Sequence, residues 1–177
     1  PVCELFEMPR DDSPGSHPSL LRRKEASNFA FGCSLVVPRE LTDKGMYAMN
    51  CLVHILTGTM HSRIFGAARQ KGLAYGMFSD TSAGFHESTW DFGGQVNLDA
   101  ASGLFDIMVR EMKAVLEGKI TEDEVDAAKS YALGRYQMGA QTVAQISNFY
   151  TNRYFADDVV KDYEKVPESI TNTSLEC

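Results

Sequence analysis

The fold is decided by the stretch His61–Asp80, HSRIFGAARQKGLAYGMFSD. Ser62 can begin a short helix that runs to about Gln70, because a serine hydroxyl accepts a backbone N–H at a helix start. Gly72 can end that helix, since glycine adopts the left-handed conformation without strain. The apolar run Leu73–Ser79 then has the composition of a strand. The stretch therefore predicts a helix carrying arginines directly before a strand carrying a tyrosine.

Upstream of this stretch the sequence predicts one strand and one longer helix. Residues Asn28–Pro38, NFAFGCSLVVP, are rich in aromatic and β-branched residues and end in a proline, which is typical of a strand. A helix follows, because apolar residues recur with a period of about 3.6 residues. Thr42 or Asp43 can cap this helix, and Gly58 marks its end.

Downstream the sequence predicts a second strand that pairs with the last part of the deciding stretch. Between His86 and Val96 apolar and polar residues alternate, which is the period of a half-buried strand. Together with Leu73–Ser79 this predicts a hairpin across Asp80–Gly84, DTSAG. The glycine pair Gly93–Gly94 inside the strand indicates a bulge or a close backbone approach rather than a phosphate loop.

The last third of the chain predicts helices. An apolar stripe that begins at Leu104 indicates a helix ended by Gly118. Thr121–Glu124, TEDE, is a capping box that opens a helical stretch to about Tyr154, in which Gly139 marks a bend or break. The element order is strand, helix, helix, hairpin, helix, helix. We therefore predict an α+β fold, a mainly antiparallel sheet covered on one face by helices.

Length and termini bound the domain organisation. We predict one α+β domain from residue 28 to residue 177, because a chain of 177 residues can bury a sizeable core. Residues 1–27 are rich in proline, serine and charge, so we predict a linker or exposed crossing segment there. The chain opens without a methionine and ends in TNTSLEC, and we expect it to be a fragment.

Charge and cysteine usage narrow the class of protein. With 24 acidic and 17 basic residues the formal net charge is −7, which repels phosphate backbones and argues against nucleic acid as a partner. The apolar runs are too short to cross a membrane. The four cysteines form no C-x-x-C pair, so we expect a reducing compartment, either the cytoplasm or the mitochondrial matrix.

Zinc ligands and nucleophiles are missing from the motifs that usually carry them. Neither H-E-x-x-H nor H-x-x-E-H occurs, and no histidine has a partner at i+3 or i+4, so we predict no metal site within this chain. No G-x-S-x-G is present, and no cysteine lies in a glycine-rich polar turn. The acids from Glu122 to Asp126 are explained by the positive end of a helix dipole.

Arg63, Arg69 and Tyr75 are the remaining candidates, and two interpretations stay open. In the first, the arginines are surface charges and Tyr75 is a strand residue at the rim. In the second, Arg69 and Tyr75 form a recognition pair. A guanidinium and a phenol can bind peptide carbonyls or a carboxylate, and a phenol can stabilise an oxyanion. Periodicity alone does not choose between the two.

These residues also resemble a known family. ILTGTMHSRIFGAARQKGLAYGMFSD is similar to a stretch of the pitrilysin/insulinase-type zinc peptidases, which include mitochondrial processing peptidase, where a glycine-containing loop precedes S-R-L-F, R-E-K and G-L-A-Y. GKITEDEVDAAKSYALGRY resembles the family helix G-[IV]-T-x-x-E-L-x-x-A-K-x-x-L, and YFADDVVKDYEKVPESIT resembles its near-terminal helix and V-T motif. The resemblance spans roughly Asn28 to Thr171.

The resemblance implies the C-terminal, non-zinc domain of a two-domain unit, with the LuxS/MPP-like metallohydrolase fold. In that family, units clasp around a chamber, and zinc is held by H-x-x-E-H in another domain or subunit. An inactive unit contributes an arginine and a tyrosine that bind substrate, and Arg69 and Tyr75 match them. The family pair is commonly seven residues apart, whereas these two are six apart. Ser62 and Arg63 match the S-R pair, and we assign them a structural or interface role.

Three functional hypotheses follow from these expectations. The first is a substrate-binding domain of a zinc metallopeptidase that acts on peptides or unfolded polypeptide, inactive alone, with zinc supplied by the parent enzyme or a partner and with Tyr75 assisting an oxyanion. The second is a non-catalytic scaffold subunit of the same fold. The third is an unrelated peptide-binding α+β module.

Overall fold

A single antiparallel sheet forms one layer of the molecule. The computed structural model describes residues 28–38, 41–83, 87–157, 160 and 162–174, and within them the sheet consists of β1 (Asn28–Val37), β2 (Ala74–Ala83) and β3 (Ser88–Asn97). The strand order is β1-β3-β2, and both pairings are antiparallel. β3 is therefore central. The predicted linker 1–27, and His86 at the predicted start of the second hairpin strand, lie outside the described residues.

Six helices accompany the sheet in the described part of the chain, and they confirm the α+β class. They are α1 (Asp43–Leu56), α2 (Arg63–Gln70), α3 (Ala101–Leu116), α4 (Glu122–Gly139), α5 (Val143–Asp157) and α6 (Val166–Thr171). Short 3-10 turns precede α3 and α6. None of the described helices has the length and apolarity needed to cross a membrane.

The core lies between one face of the sheet and helices α1, α2 and α3. Alternate residues of β3, among them Trp90, Phe92 and Val96, are buried there with Leu56 of α1 and Leu104 of α3. Each large side chain buried in this way stabilises the fold by about 1.5–3 kcal/mol. The alternation predicted from the sequence is therefore the pattern that joins the two layers.

Three local predictions about helix ends are confirmed. The Thr42 hydroxyl accepts the Gly45 N–H at the start of α1. At α4 the Thr121 hydroxyl accepts the Glu124 N–H while the Glu124 carboxylate accepts the Thr121 N–H, which completes the capping box. The long helical stretch is broken after Gly139, where α4 ends.

The hairpin between β2 and β3 differs from the prediction. Residues 80–83 were expected in the turn, but they extend β2, and Asp80 lies opposite Asp91. Polar composition resembles that of a turn, whereas here one face of the sheet is open to solvent and accepts polar side chains. Gly93 does mark a close approach, because a Cβ there would lie 2.7 Å from the Phe78 ring.

Candidate functional site

The loop between α1 and α2 is tied to the end of α1 by Ser62. Its buried hydroxyl donates to the His54 carbonyl at 2.7 Å and accepts the Thr59 N–H at 2.8 Å. Ser62 is the N-cap residue of α2, but its side chain makes no capping hydrogen bond. The predicted capping role is therefore wrong, because the hydroxyl is already committed to the preceding loop.

Arg63 joins α2 to α3 and α4. Its Nε and Nη2 donate to the two carboxylate oxygens of Glu124 at 2.5 and 2.6 Å, and Nη2 also donates to the Lys119 carbonyl at 2.6 Å. The Glu111 carboxylate lies 3.8 Å from Nη1. The side chain is 19% exposed. A forked guanidinium that meets a carboxylate in this way is a strong, geometrically specific contact.

The same contact changes the acidity of Glu124. Hydrogen bonds from Arg63, and then from the Thr121 N–H and hydroxyl, lower the pKa of the Glu124 carboxyl to about 2, against the opposing effect of partial burial. The Arg63 pKa is raised by the same partner. The carboxylate is thus held in its charged form by the clamp and by the capping box together.

The turn from α2 into β2 has the geometry of a Schellman motif. Gly72 has φ +66°, its N–H donates to the Arg69 carbonyl at 3.0 Å, and the Leu73 N–H donates to the Ala68 carbonyl at 2.8 Å. These bonds satisfy carbonyls at the end of the helix. The turn therefore fixes how Arg69, in the last turn of α2, stands relative to the first residues of β2.

Tyr75 is the extra residue of a β-bulge. Ala74 lies opposite Val96 and Gly76 lies opposite Gln95, so that Tyr75 has no partner on β3. Bulges re-aim a side chain and are frequent beside active sites. The Tyr75 side chain is 92% exposed although it belongs to a strand. The sequence predicted a strand residue at the rim, but no local pattern predicted the bulge.

Arg69 and Tyr75 are brought together by these two turns. The exposed Arg69 guanidinium donates from Nη1 to the backbone carbonyl of Tyr75 at 3.3 Å. This contact is made with the backbone and leaves the phenol out. The two residues therefore lie side by side, and neither the Tyr75 hydroxyl nor the other N–H groups of Arg69 take part in this contact.

The pair borders an open groove of about 570 Å³, which we call the Arg69 groove. Its lining includes the apolar residues Leu73, Ala74 and Val96, of which Ala74 and Val96 are buried in the core. Its polar lining consists of Arg69, Tyr75 and the three amide side chains of Asn28, Gln95 and Asn97. The lining offers several hydrogen-bond donors beside apolar residues, which suits an extended polar chain such as a peptide.

The described residues contain no group of three or more His, Cys, Asp or Glu side chains placed to hold a metal ion. The half-buried His54 packs against Tyr131 with ring centroids 4.9 Å apart, and its buried Nδ1 has no hydrogen-bond partner among the described residues, so the histidine predicted to be a satisfied packing residue is only partly satisfied. Its pKa is lowered by burial and then by the charge of Arg135. The described cysteines, Cys33 and Cys51, form no disulfide, and the Cys51 thiol donates to the Val125 carbonyl at 4.0 Å.

Comparison with family models identifies residues 5–131 as matching the model described as the peptidase M16 inactive domain. That match covers more than half of the chain and is inconsistent with an unrelated α+β module. No curated protein sequence matches the chain.

Solved structures show the same fold. The inactive peptidase domain of a candidate zinc protease from Bordetella parapertussis aligns with TM-score 0.68 and 14% identity, covering 89% of this chain and 85% of that one. A protease from Helicobacter pylori aligns with TM-score 0.74 and 16% identity over 89% of this chain. A peptidase M16 inactive domain from Pseudomonas fluorescens aligns with TM-score 0.71 and 19% identity over 85% of this chain. The chain spans only 38% and 36% of the last two proteins.

Proposed function

The chain belongs to the M16 peptidase family as one of its inactive domains, and from that premise we propose that it binds extended polypeptide for a zinc-bearing domain or subunit. Zinc and the glutamate of an H-x-x-E-H motif in that other part would activate water for peptide hydrolysis. The task of this chain would then be to bind and orient the substrate. It would be inactive alone.

The observation that carries the proposal is the Arg69 groove. It lies across the ends of the three described strands, of which β2 is at an edge of the described sheet, and an edge strand can add an extended peptide through backbone hydrogen bonds. The bulge at Tyr75 interrupts the regular ladder at the point where the groove opens. A peptide bound along β2 would therefore meet the Arg69 guanidinium and the Tyr75 phenol at this bulge.

Arg69 and Tyr75 would have different tasks. The Arg69 guanidinium is a fixed charge with several N–H donors, so it would orient the peptide through a carbonyl or a carboxylate. The Tyr75 phenol is a single donor, and one donor aimed at the oxygen that becomes negative in the transition state can accelerate hydrolysis. Tyr75 would therefore affect the rate more than the affinity.

A scaffold role is the second candidate, and exposed apolar residues on α3 favour it. Val109 and Leu116 are 69% and 87% exposed, and apolar surface of this kind is common at subunit contacts. In a pure scaffold, substitutions at Arg69 and Tyr75 would leave function unchanged, while substitutions on this face of α3 would impair assembly.

The test is cleavage of a quenched unstructured peptide in zinc buffer by the full protein assembled with its H-x-x-E-H part. Arg69→Gln and Tyr75→Phe are compared with Lys71→Gln, which removes an exposed positive charge two residues from Arg69 but outside the groove lining. We expect kcat/KM to fall about tenfold or more in the first two variants, equivalent to about 1.4 kcal/mol, and to stay unchanged in the third. Equal activity in all three variants would exclude substrate binding at this site.

A further inference from the structure

We propose that the Arg69 groove selects a carboxylate of the polypeptide, which is either its C-terminal carboxylate or the side chain of an aspartate or glutamate. This inference rests on the proposed function and adds the chemical class of the group that is bound. A neutral peptide carbonyl is the alternative occupant of the same donors. Three observations favour the carboxylate, namely the charge of the lining, its three amide side chains and the lack of an acidic partner for Arg69 among the described residues.

The first feature is charge. Among the described residues the lining contains the Arg69 guanidinium and no aspartate or glutamate. Elsewhere the protein is strongly acidic, with a formal net charge of −7. A cation without a neighbouring described acid favours a ligand group of negative charge.

The second feature is the arrangement of the amides. Asn28 of β1 and Asn97 of β3 are direct partners in the sheet, so their side chains point to the same face. Gln95 lies two residues from Asn97 on β3 and therefore shares that face. Each amide carries an NH₂ group that can donate two hydrogen bonds. The three amides thus lie on one face at the end of the sheet that borders the groove, where their NH₂ groups can donate to a carboxylate oxygen.

The third feature is that Arg69 has no acidic partner within ion-pairing distance among the described residues. Its Nη1 donates to the Tyr75 carbonyl at 3.3 Å, which orients the guanidinium and leaves its other N–H groups for a ligand. A guanidinium binds a carboxylate through two parallel bonds, and bonds between charged groups are roughly twice as strong as neutral ones. A carbonyl would use the same donors less fully.

The test measures peptide affinity with the full protein kept free of zinc by a chelator, so that no peptide is cut. One fluorescent unstructured peptide without internal acids is prepared with a C-terminal carboxylate and with a C-terminal amide. A third version keeps the amide and carries one internal glutamate, and a fourth has glutamine at that position. The first pair tests the C-terminal source of the carboxylate, and the second pair tests the side-chain source.

We expect at least one carboxylate peptide to bind about tenfold more tightly than its neutral counterpart, and the preference to weaken as salt rises. Arg69→Gln should abolish this preference, whereas Lys71→Gln, the matched loss of a nearby positive charge, should preserve it. Arg69→Lys should retain only part of it, because an ammonium keeps the charge without the fork.

The outcomes distinguish a failure of the carboxylate preference from a failure of peptide binding at the groove. If neutral and charged peptides bind equally and Arg69→Gln weakens both by the same factor, the carboxylate preference is wrong while peptide binding at this groove stands. If Arg69→Gln changes no affinity, or if none of the four peptides binds, both the inference and the proposed function fall.

Discussion

Two arginines on the same eight-residue helix have opposite surroundings. Arg63, in the first turn of α2, is bonded to Glu124 and to the Lys119 carbonyl and lies near Glu111. Arg69, in the last turn, is exposed, donates to one backbone carbonyl and borders an open groove. The guanidinium of Arg63 is occupied by contacts within the protein, whereas that of Arg69 can bind a ligand.

The difference teaches that the role of an arginine depends on the elements that arrive from far along the chain. Glu124 is 61 residues from Arg63, and it is positioned by a capping box that is itself local to α4. Around Arg69 the described lining supplies amides, a phenol and apolar residues but no carboxylate. The same side chain is therefore structural at one end of α2 and a candidate for binding at the other.

The largest expected effect is the loss of stability when Arg63 is replaced. Arg63→Gln should lower the free energy of unfolding by about 3 kcal/mol, since it leaves a partly buried carboxylate without its charged partner. Urea denaturation measures this change. Arg110→Gln is the control, because Arg110 is 58% exposed and pairs with its neighbour Glu111. The comparison breaks if Arg63→Gln is no more damaging than Arg110→Gln, or if it weakens peptide binding by the folded protein.

Arg69→Gln should have the reverse profile. Its effect on the free energy of unfolding should stay within about 0.5 kcal/mol, as for an exposed side chain. Peptide affinity should fall about tenfold, because the charge at the groove is lost. Fluorescence anisotropy and urea denaturation on the same preparation give both values. A large loss of stability without a loss of affinity would place Arg69 in the same class as Arg63.

Acid should weaken the contact between Arg63 and Glu124. The pKa of Glu124 is lowered from about 4.5 to about 2 in the folded protein, so the unfolded chain takes up the proton first as pH falls. The stabilisation from Arg63 is complete above about pH 4.5 and is lost as pH falls towards 2. The stability difference between wild type and Glu124→Gln should therefore shrink over that interval. A difference that is constant with pH would show that the ion pair contributes nothing to stability.

The smallest expected effect is on affinity in Tyr75→Phe. The phenol is 92% exposed, so its removal should cost little stability and less than about threefold in peptide affinity. Cleavage by the assembled enzyme should fall further, because a donor to an oxyanion acts in the transition state. Steady-state kinetics would separate a change in kcat from a change in KM. Equal losses in affinity and in kcat/KM would reduce Tyr75 to a binding residue.

The features that the sequence predicted correctly depend on residues that are close together in the chain. Thr42, the capping box at Thr121 and the break at Gly139 depend on residues a few positions apart, and the structure confirms all three. The strand alternation from Trp90 to Val96 is likewise local, and it predicted the buried face of β3.

The missed features arise from contacts between distant segments. The Ser62 hydroxyl binds the end of α1 instead of its own helix, and Arg63 meets a carboxylate from α4. The bulge at Tyr75 is a property of the pairing between β2 and β3, so the sequence of either strand alone does not contain it. The sequence thus predicted the pair Arg69 and Tyr75 but could not predict the groove that joins them.

Hydrogen exchange of the zinc-free full protein, with and without a saturating unstructured peptide, tests the central claim most directly. We predict slower exchange on peptide binding for the amides of residues 72–75 and 95–97, which border the Arg69 groove, and no change for residues 119–124, which surround the Arg63 clamp. Protection confined to other parts of the molecule, with residues 72–75 unchanged, would contradict the claim that this groove binds the substrate.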